Sequence, residues 1–132
     1  MGSGIKLLSR TEFKEQVFAR DGGKCVFCHE NAVDAHHILD RKLFSDGGYY
    51  IDNGASVCEV CHWKCETTEY SVELVREKCG ITNIILPSGA YPDVRYDKWM
   101  NVLFDDDTRL KGPLFDDPAV QKLLKKELWK YT

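Results

Sequence analysis

The sequence predicts an α+β fold, in which a small core of two strands and a helix is flanked by N-terminal and C-terminal helices. Helical periodicity covers both ends of the chain but disappears between Cys25 and about Asn53. There, glycine and polar clusters separate short extended runs, and two Cys-x-x-Cys pairs enclose the stretch. Because 132 residues suffice for one core, we expect a single domain over 1–132, with 24–66 as its core and 67–132 as a helical C-terminal extension.

The N-terminal helix is predicted from a capping box. Ser9-Arg10-Thr11-Glu12 pairs a small hydroxyl residue with a glutamate three positions later, which satisfies the free backbone N–H groups of a first helical turn. Phe13, Val17 and Phe18 then share one face, and Gly22-Gly23 is typical of a helix end.

The middle of the chain is predicted to form a hairpin with a long loop, followed by two helices. The strands would be Ala32 to Leu39 and Tyr49 to Ile51, since both runs are extended and flanked by turn residues. One helix should run from Cys58 through Glu66. The next should cover Val72 to Cys79, with Ser71 as its cap and Gly80 as its terminator.

The C-terminal helix is predicted from Asp117 as cap and Pro118 at the first helical position. Its apolar face would consist of Val120, Leu123, Leu124, Leu128 and Tyr131.

Composition and charge narrow the classes of protein. No apolar stretch approaches the roughly 20 residues that span a bilayer, and residues 1–4 are typical of a cloning remnant rather than of a signal peptide. We therefore expect no membrane contact and a cytoplasmic location. The net charge of −3 gives no general attraction to nucleic acid, so any such role requires a local site.

The two cysteine pairs predict a structural zinc site. Cys25-x-x-Cys28 and Cys58-x-x-Cys61 are 29 residues apart and could supply four thiolates to one tetrahedral ion. In a reducing compartment, metal binding by these cysteines is favoured over disulfide formation. The alternatives are that they are ordinary buried thiols or a redox-active pair. Cys65 lies one turn beyond Cys61 and is expected to be a packing residue.

The segment between the pairs carries a second group of candidate ligands. Adjacent side chains of an extended chain point in opposite directions, so His36 and His37 cannot readily bind the same ion. One could bind a metal while the other accepts a proton. His62 and Glu66 are four residues apart and face the same side of the predicted helix. Core histidines or extra zinc ligands are the alternative interpretation.

The order and spacing of these pieces resemble those of the HNH endonucleases, whose catalytic unit is a ββα-metal finger that often carries a zinc knuckle. The resemblance covers Lys24 to Glu66, which is 43 residues and about a third of the chain. Its elements are Cys25-Val26-Phe27-Cys28, Asp34-Ala35-His36-His37-Ile38, Asp52-Asn53-Gly54-Ala55-Ser56-Val57 and Cys58-Glu59-Val60-Cys61-His62.

The resemblance implies a role for each matched residue. His37 would be the general base, and Asn53 would brace the loop through backbone hydrogen bonds. His36 and His62 would bind a catalytic divalent ion, with Glu66 as a further ligand. The implied reaction is hydrolysis of a phosphodiester that leaves 5′-phosphate and 3′-hydroxyl ends. Magnesium, manganese, nickel, cobalt and zinc are all compatible with this set.

The expected partner is nucleic acid, with DNA preferred over RNA, and Arg41, Lys42 and Lys64 are candidate phosphate contacts. The alternative, that these three side chains simply lie on a solvated surface, is nearly as well supported. The core is acidic, since residues 25–66 carry 3 basic and 7 acidic side chains, whereas residues 1–24 carry 5 and 3. The first helix is thus the expected phosphate-facing flank, and help from a protein partner fits equally well. The alternative function is a non-catalytic zinc module that binds nucleic acid or a protein.

Overall fold

A computed structural model describes residues 6–125 and confirms an α+β fold. The described residues form four α-helices and two short antiparallel strand pairs, joined by irregular segments. In chain order these are α1 (Arg10–Asp21), β1 (Asp34–His37), β2 (Gly54–Val57), α2 (Glu59–Glu66), α3 (Val72–Cys79), β3 (Val102–Leu103), β4 (Arg109–Leu110) and α4 (Pro118–Leu124). The predicted cloning remnant, Leu128 and Tyr131 lie outside the described residues.

Strands β1 and β2 form the centre of the fold. They pair antiparallel, with Asp34 opposite Val57 and His37 opposite Gly54. The prediction that Tyr49 to Ile51 would be the second strand is wrong, because a 3-10 turn over Ile51–Asn53 follows this run and the pairing strand begins after it. The small side chains of β2 gave little strand signal, yet all four residues are buried.

Helix α1 covers one face of this strand pair. Its Ser9 capping box and its end at Gly22 are as predicted. Phe13 and Val17 are buried against Tyr49 and Ile51. Apolar packing therefore fixes the position of α1 on the strands.

A charged pair at the end of α1 adds polar contacts to this packing. Arg20 donates to the carbonyls of Ile51 and Gly54 at 2.9 and 2.7 Å. The carboxylate of Asp21 accepts from the backbone N–H of Ser56 at 3.0 Å. The end of α1 is thus hydrogen-bonded to strand β2 and to the turn that precedes it.

The main apolar core lies between the strand pair and helices α2 and α3. It is made of the buried side chains Ile38, Leu39, Ala55, Val57, Cys65, Val72 and Val75. The bounds of α3, its Ser71 cap and its Gly80 terminator are as predicted. Cys65 is 2% exposed within this core, which agrees with its predicted packing role.

The chain after α3 is less helical than predicted. Between α3 and α4 it is irregular apart from the β3–β4 hairpin, which was not predicted. The buried carboxylate of Asp97 organises this part, since it accepts from the Asn101 side chain at 3.0 Å and from Arg109 at 3.1 Å. Helix α4 begins at the predicted Asp117 cap, and its Val120 and Leu124 pack in a second apolar cluster.

Two contacts join this second half of the chain to the core. The Trp99 indole donates to the Glu66 carbonyl at 2.9 Å, and the Asp40 N–H donates to the Lys98 carbonyl at 3.1 Å. Residues 98 and 99 therefore hold the ends of both β1 and α2. None of the helices in the described part of the chain is long and apolar enough to cross a membrane.

Substitution of Gly54 by alanine should destabilise the fold, because an added Cβ would lie 2.6 Å from Val17 Cγ2 and 2.7 Å from Phe13 Cζ. We expect a loss of about 1–3 kcal/mol in the free energy of unfolding, as for other overpacked cores. Chemical denaturation would measure it. Gly80→Ala is the control, since its Cβ would meet nothing within 4 Å and only its positive φ is strained. A smaller effect at Gly54 than at Gly80 would contradict the close packing of α1 on β2.

Candidate functional site

The four predicted cysteine ligands come together. The sulfur atoms of Cys25, Cys28, Cys58 and Cys61 all lie within 4.8 Å of one another, and the Sγ atoms of Cys28 and Cys58 are 3.6 Å apart. Helix α2 contributes one pair because Cys58 is its N-cap, and the Cys58 sulfur accepts from the Cys61 N–H at 3.4 Å. The other pair lies in the turn that follows α1, where the His29 N–H donates to the Cys25 carbonyl.

The chemistry of this cluster suits a zinc ion. Burial would raise the pKa of Cys25, but backbone hydrogen bonds at Cys28, Cys58 and Phe27 outweigh it and lower the pKa to about 7. Burial and the neighbouring sulfurs of Cys58 and Cys25 raise the pKa of Cys61, so a second thiolate needs a cation beside it. Four thiolates around one tetrahedral ion meet that requirement, and zinc is the metal that such a set favours.

A second group of ligands lies on β1 and α2. Nitrogen atoms of His36 and His62 and a carboxylate oxygen of Glu66 all lie within 4.8 Å of one another. His62 Nε2 is 3.3 Å from Glu66 Oε1, and the rings of His36 and His62 are in edge contact at 5.1 Å between centroids. Asp34 stands behind His62, with its carboxylate oxygen 3.6 Å from Nδ1. The structure thus brings together the three residues predicted to hold a second metal.

Two buried polar atoms of this group make no hydrogen bond within the described residues, and both are suited to bind a cation. They are His36 Nδ1 and Glu66 Oε2, the second of which faces the Lys98 ammonium at 3.4 Å. Burial, with the charge of Lys98 second, holds the pKa of His36 well below its usual range, so the ring is neutral and free to bind a metal. Burial raises the pKa of Glu66, but hydrogen bonding to His62 and the charge of Lys98 outweigh it, and the net shift is downward.

His37 lies beside this group without belonging to it. Its ring stacks on Phe13 at 4.7 Å and meets Tyr49 edge-on at 4.9 Å. Within residues 6–125 its Nε2 has no hydrogen-bond partner. Burial and the charge of Lys98 lower the pKa of His37 to about 4, opposed by Asp40 and by a backbone hydrogen bond with Gly47. The imidazole is therefore neutral at physiological pH and keeps a lone pair.

Asn53 is buried between two loops. Its side-chain carbonyl accepts from the Leu39 N–H at 3.0 Å, and its amide donates to the carbonyls of Leu39 and Gly48 at 3.1 and 3.2 Å. Its own backbone carbonyl accepts from the Ile38 N–H at 2.9 Å. These bonds fix the chain directly after His37.

All of these histidines open on one cleft of about 590 Å³. Helix α1 forms one wall and presents Arg10 and Lys14 to it, while β1 and α2 form the other. Of the three predicted phosphate contacts, Arg41 lines this cleft. The cleft is lined as well by four acidic residues, Glu15, Asp34, Asp40 and Glu66. The exposed cations could contact an anionic ligand only locally.

Lys42 and Lys64, the other two predicted phosphate contacts, are not among the residues that line this cleft. The Lys42 ammonium pairs with the Asp117 carboxylate at 2.9 Å. Lys64 is 3.8 Å from the Glu69 carboxylate and lies over the ring of Tyr70. Lys64 also lines a neighbouring cavity together with His62 and Glu66. The predicted phosphate contacts of Lys42 and Lys64 therefore stay predictions.

Sequence reasoning missed several residues of the cleft. Lys98 lies more than 30 residues beyond Glu66 in the chain, yet its side chain is 4% exposed and reaches the cleft floor. Phe13 and Tyr49 both contact the ring of His37 and contact each other, and no spacing rule relates three residues so far apart. The basic residues of α1 were expected as a flank without naming Arg10 and Lys14. Their positions on the helix surface were the available signal, since they are four residues apart.

Replacement of one cysteine of the cluster tests whether it holds zinc. A four-thiolate zinc site predicts that Cys28→Ser binds no metal and unfolds at a much lower temperature, since a structural zinc contributes about 10 kcal/mol or more of binding free energy to folding. The control is Cys79→Ser, which should match the metal content of the wild type because Cys79 is half-buried outside the cluster. Elemental analysis and thermal unfolding would measure both effects. Full zinc content in Cys28→Ser would refute this assignment.

Comparison of the chain with models of protein families, with curated proteins and with solved structures found no match.

Proposed function

We propose that the protein is a metal-dependent HNH-type endonuclease that hydrolyses phosphodiester bonds of DNA. The observation that carries the proposal is the arrangement in one cleft. The neutral imidazole of His37 lines the same cleft as the cluster of His36, His62 and Glu66, and its buried Nε2 has no hydrogen-bond partner among the described residues. A base beside a cation site is the minimum that hydrolysis of a phosphodiester requires.

His36, His62 and Glu66 would hold a single divalent ion. When bound, the ion supplies a positive charge that stabilises the phosphate and the departing oxygen. The three side chains leave coordination positions for water and phosphate, which distinguishes this set from the closed cluster of four cysteines. Magnesium, manganese, nickel or zinc would suit this combination of imidazole and carboxylate.

His37 is the proposed general base. It accepts a proton from a water molecule, the water oxygen bonds to phosphorus, and the bond from phosphorus to the 3′ oxygen breaks. The products carry a 5′-phosphate and a 3′-hydroxyl. A nearby phosphate raises the pKa of an imidazole because it favours the imidazolium, so substrate binding would bring the pKa of His37 up from about 4.

Two sets of contacts support this role by holding the ring. Phe13 stacks on it and Tyr49 meets it edge-on, which restricts its rotation. Asn53 fixes the following backbone through Leu39 and Gly48. A base held in one orientation loses less entropy when it takes the proton of the attacking water.

Arg10, Lys14 and Arg41 are the proposed phosphate contacts. They line the same cleft as His37, and all three are exposed. The cleft also carries Glu15, Asp34, Asp40 and Glu66, so these cations would contact phosphates individually and not through a uniformly positive surface. Such contacts position DNA without reading its sequence.

Replacement of His37 by alanine should abolish cleavage while the fold persists. We expect a loss of about a hundredfold or more in the rate of plasmid cleavage, the usual contribution of a general base. Zinc content and the folded circular dichroism spectrum should be unchanged, because His37 lies outside both metal clusters. The assay would use a panel of divalent ions with a chelator control.

Equal cleavage by wild type and His37→Ala would eliminate the enzyme and leave a non-catalytic zinc module. Parallel assays on single-stranded RNA would reveal a preference for RNA. That result would keep the site and change only the substrate.

Neutralisation of the α1 cations should weaken DNA binding. The double substitution Arg10→Gln with Lys14→Gln should lower the affinity several-fold and reduce the salt dependence by about two phosphate contacts. Lys78→Gln with Lys122→Gln, on the exposed surfaces of α3 and α4, is the control matched for net charge. Fluorescence anisotropy in calcium or chelator would measure binding without cleavage. An equal effect of this control would contradict local phosphate contacts by α1.

A further inference from the structure

Lys98 is a buried lysine that the proposed reaction does not use. It lies in the irregular segment before β3, far from the cysteine and histidine motifs in sequence. Its side chain is 4% exposed, and it lines the cleft together with His36, His37 and Glu66. Burying a cation is costly unless it is paired, so its partners indicate what it does.

The Lys98 ammonium contacts three oxygen atoms. It donates to the His37 carbonyl at 2.9 Å, and it lies 3.4 Å from Glu66 Oε2 and 3.4 Å from Asp40 Oδ1. The contact with the His37 carbonyl is a hydrogen bond, whereas the two carboxylates face the ammonium at ion-pair distance. Because its charge is paired with two acidic side chains, Lys98 is not among the proposed phosphate contacts.

The Glu66 carboxylate therefore has two roles: it would bind the proposed divalent ion, and it already pairs with the Lys98 ammonium. One carboxylate oxygen faces His62 at 3.3 Å, and the other faces Lys98. A carboxylate already paired with an ammonium attracts a second cation less strongly, and the ammonium itself repels a dication. After burial, the charge of Lys98 is also the largest cause of the lowered pKa of both His36 and His37.

We propose that Lys98 is a positioning residue that limits the affinity of the His36, His62 and Glu66 site for divalent cations. The inference rests on the cation site of the proposed function. Lys98 holds the second oxygen of Glu66 and keeps the local charge more positive. The ion would then exchange readily, and an anionic substrate would be attracted more strongly to the cleft.

Manganese binding in the absence of DNA tests this inference. The electron paramagnetic resonance signal of free Mn²⁺ would be titrated with protein whose cysteine cluster is loaded with zinc. Lys98→Gln removes the charge but keeps a donor for the His37 carbonyl, and it should bind Mn²⁺ about tenfold more tightly. Lys98→Arg keeps the charge and should remain close to wild type. A purely structural role would instead weaken binding in Lys98→Gln.

Controls define the site that is being measured. His62→Ala should lose the Mn²⁺ binding, because His62 is a ligand of this site only. Lys122→Gln should leave the affinity unchanged, since it removes one charge from an exposed residue of α4 that does not line the cleft. Lys98→Met is a second uncharged variant and should also bind Mn²⁺ more tightly. If Lys98→Met does not fold, the Mn²⁺ affinity of Lys98→Gln decides the test.

The outcomes separate the two proposals. Unchanged or weaker Mn²⁺ affinity in Lys98→Gln would overturn the role of Lys98 and leave the proposed nuclease intact. Absence of Mn²⁺ binding in the wild type would overturn both, since no cation site would exist. Normal Mn²⁺ binding with the expected increase, but without any cleavage by the wild type, would support Lys98 and overturn the nuclease.

Discussion

The rotation of α2 about its own axis is the constraint on which both clusters depend. This helix has eight residues, and it sends Cys61 to one side and His62 with Glu66 to another. Consecutive residues of a helix are about 100° apart, so a single setting of the helix serves both groups. Cys58 fixes that setting at the N-terminus as the cap, and the hydrogen bond from Trp99 to the Glu66 carbonyl fixes it at the C-terminus. A change in the cysteine cluster that rotates α2 would therefore also move His62 and Glu66.

The sequence predicts well whatever follows from local spacing. The capping box at Ser9, the limits of α3 and the Asp117 cap each depend on residues within one helical turn, and the structure confirms them. The meeting of the cysteine pairs was also predictable, because a Cys-x-x-Cys turn directs both sulfurs one way. The same is true of His62 and Glu66, four residues apart on one helix.

Features set by long-range packing were beyond the sequence. Tyr49 to Ile51 has the composition of a strand, but its side chains are used in packing against α1, and the strand begins later with small residues. The β3–β4 hairpin has two residues in each strand, too few for a periodic pattern. Lys98 has no neighbouring motif at all, and only the tertiary fold brings it to the cleft.

Helix α1 has two faces with different duties, and the packing at Gly54 couples them. Its buried face holds Phe13 against the ring of His37, and its exposed face carries Arg10 and Lys14 along the cleft. Since no space remains between Gly54 and the side chains of Val17 and Phe13, the helix cannot rotate on the strands. The distance between the exposed cations of α1 and the His37 imidazole is consequently fixed by one rigid helix. In such an arrangement, evolution can vary the outer charges of α1 without moving the imidazole.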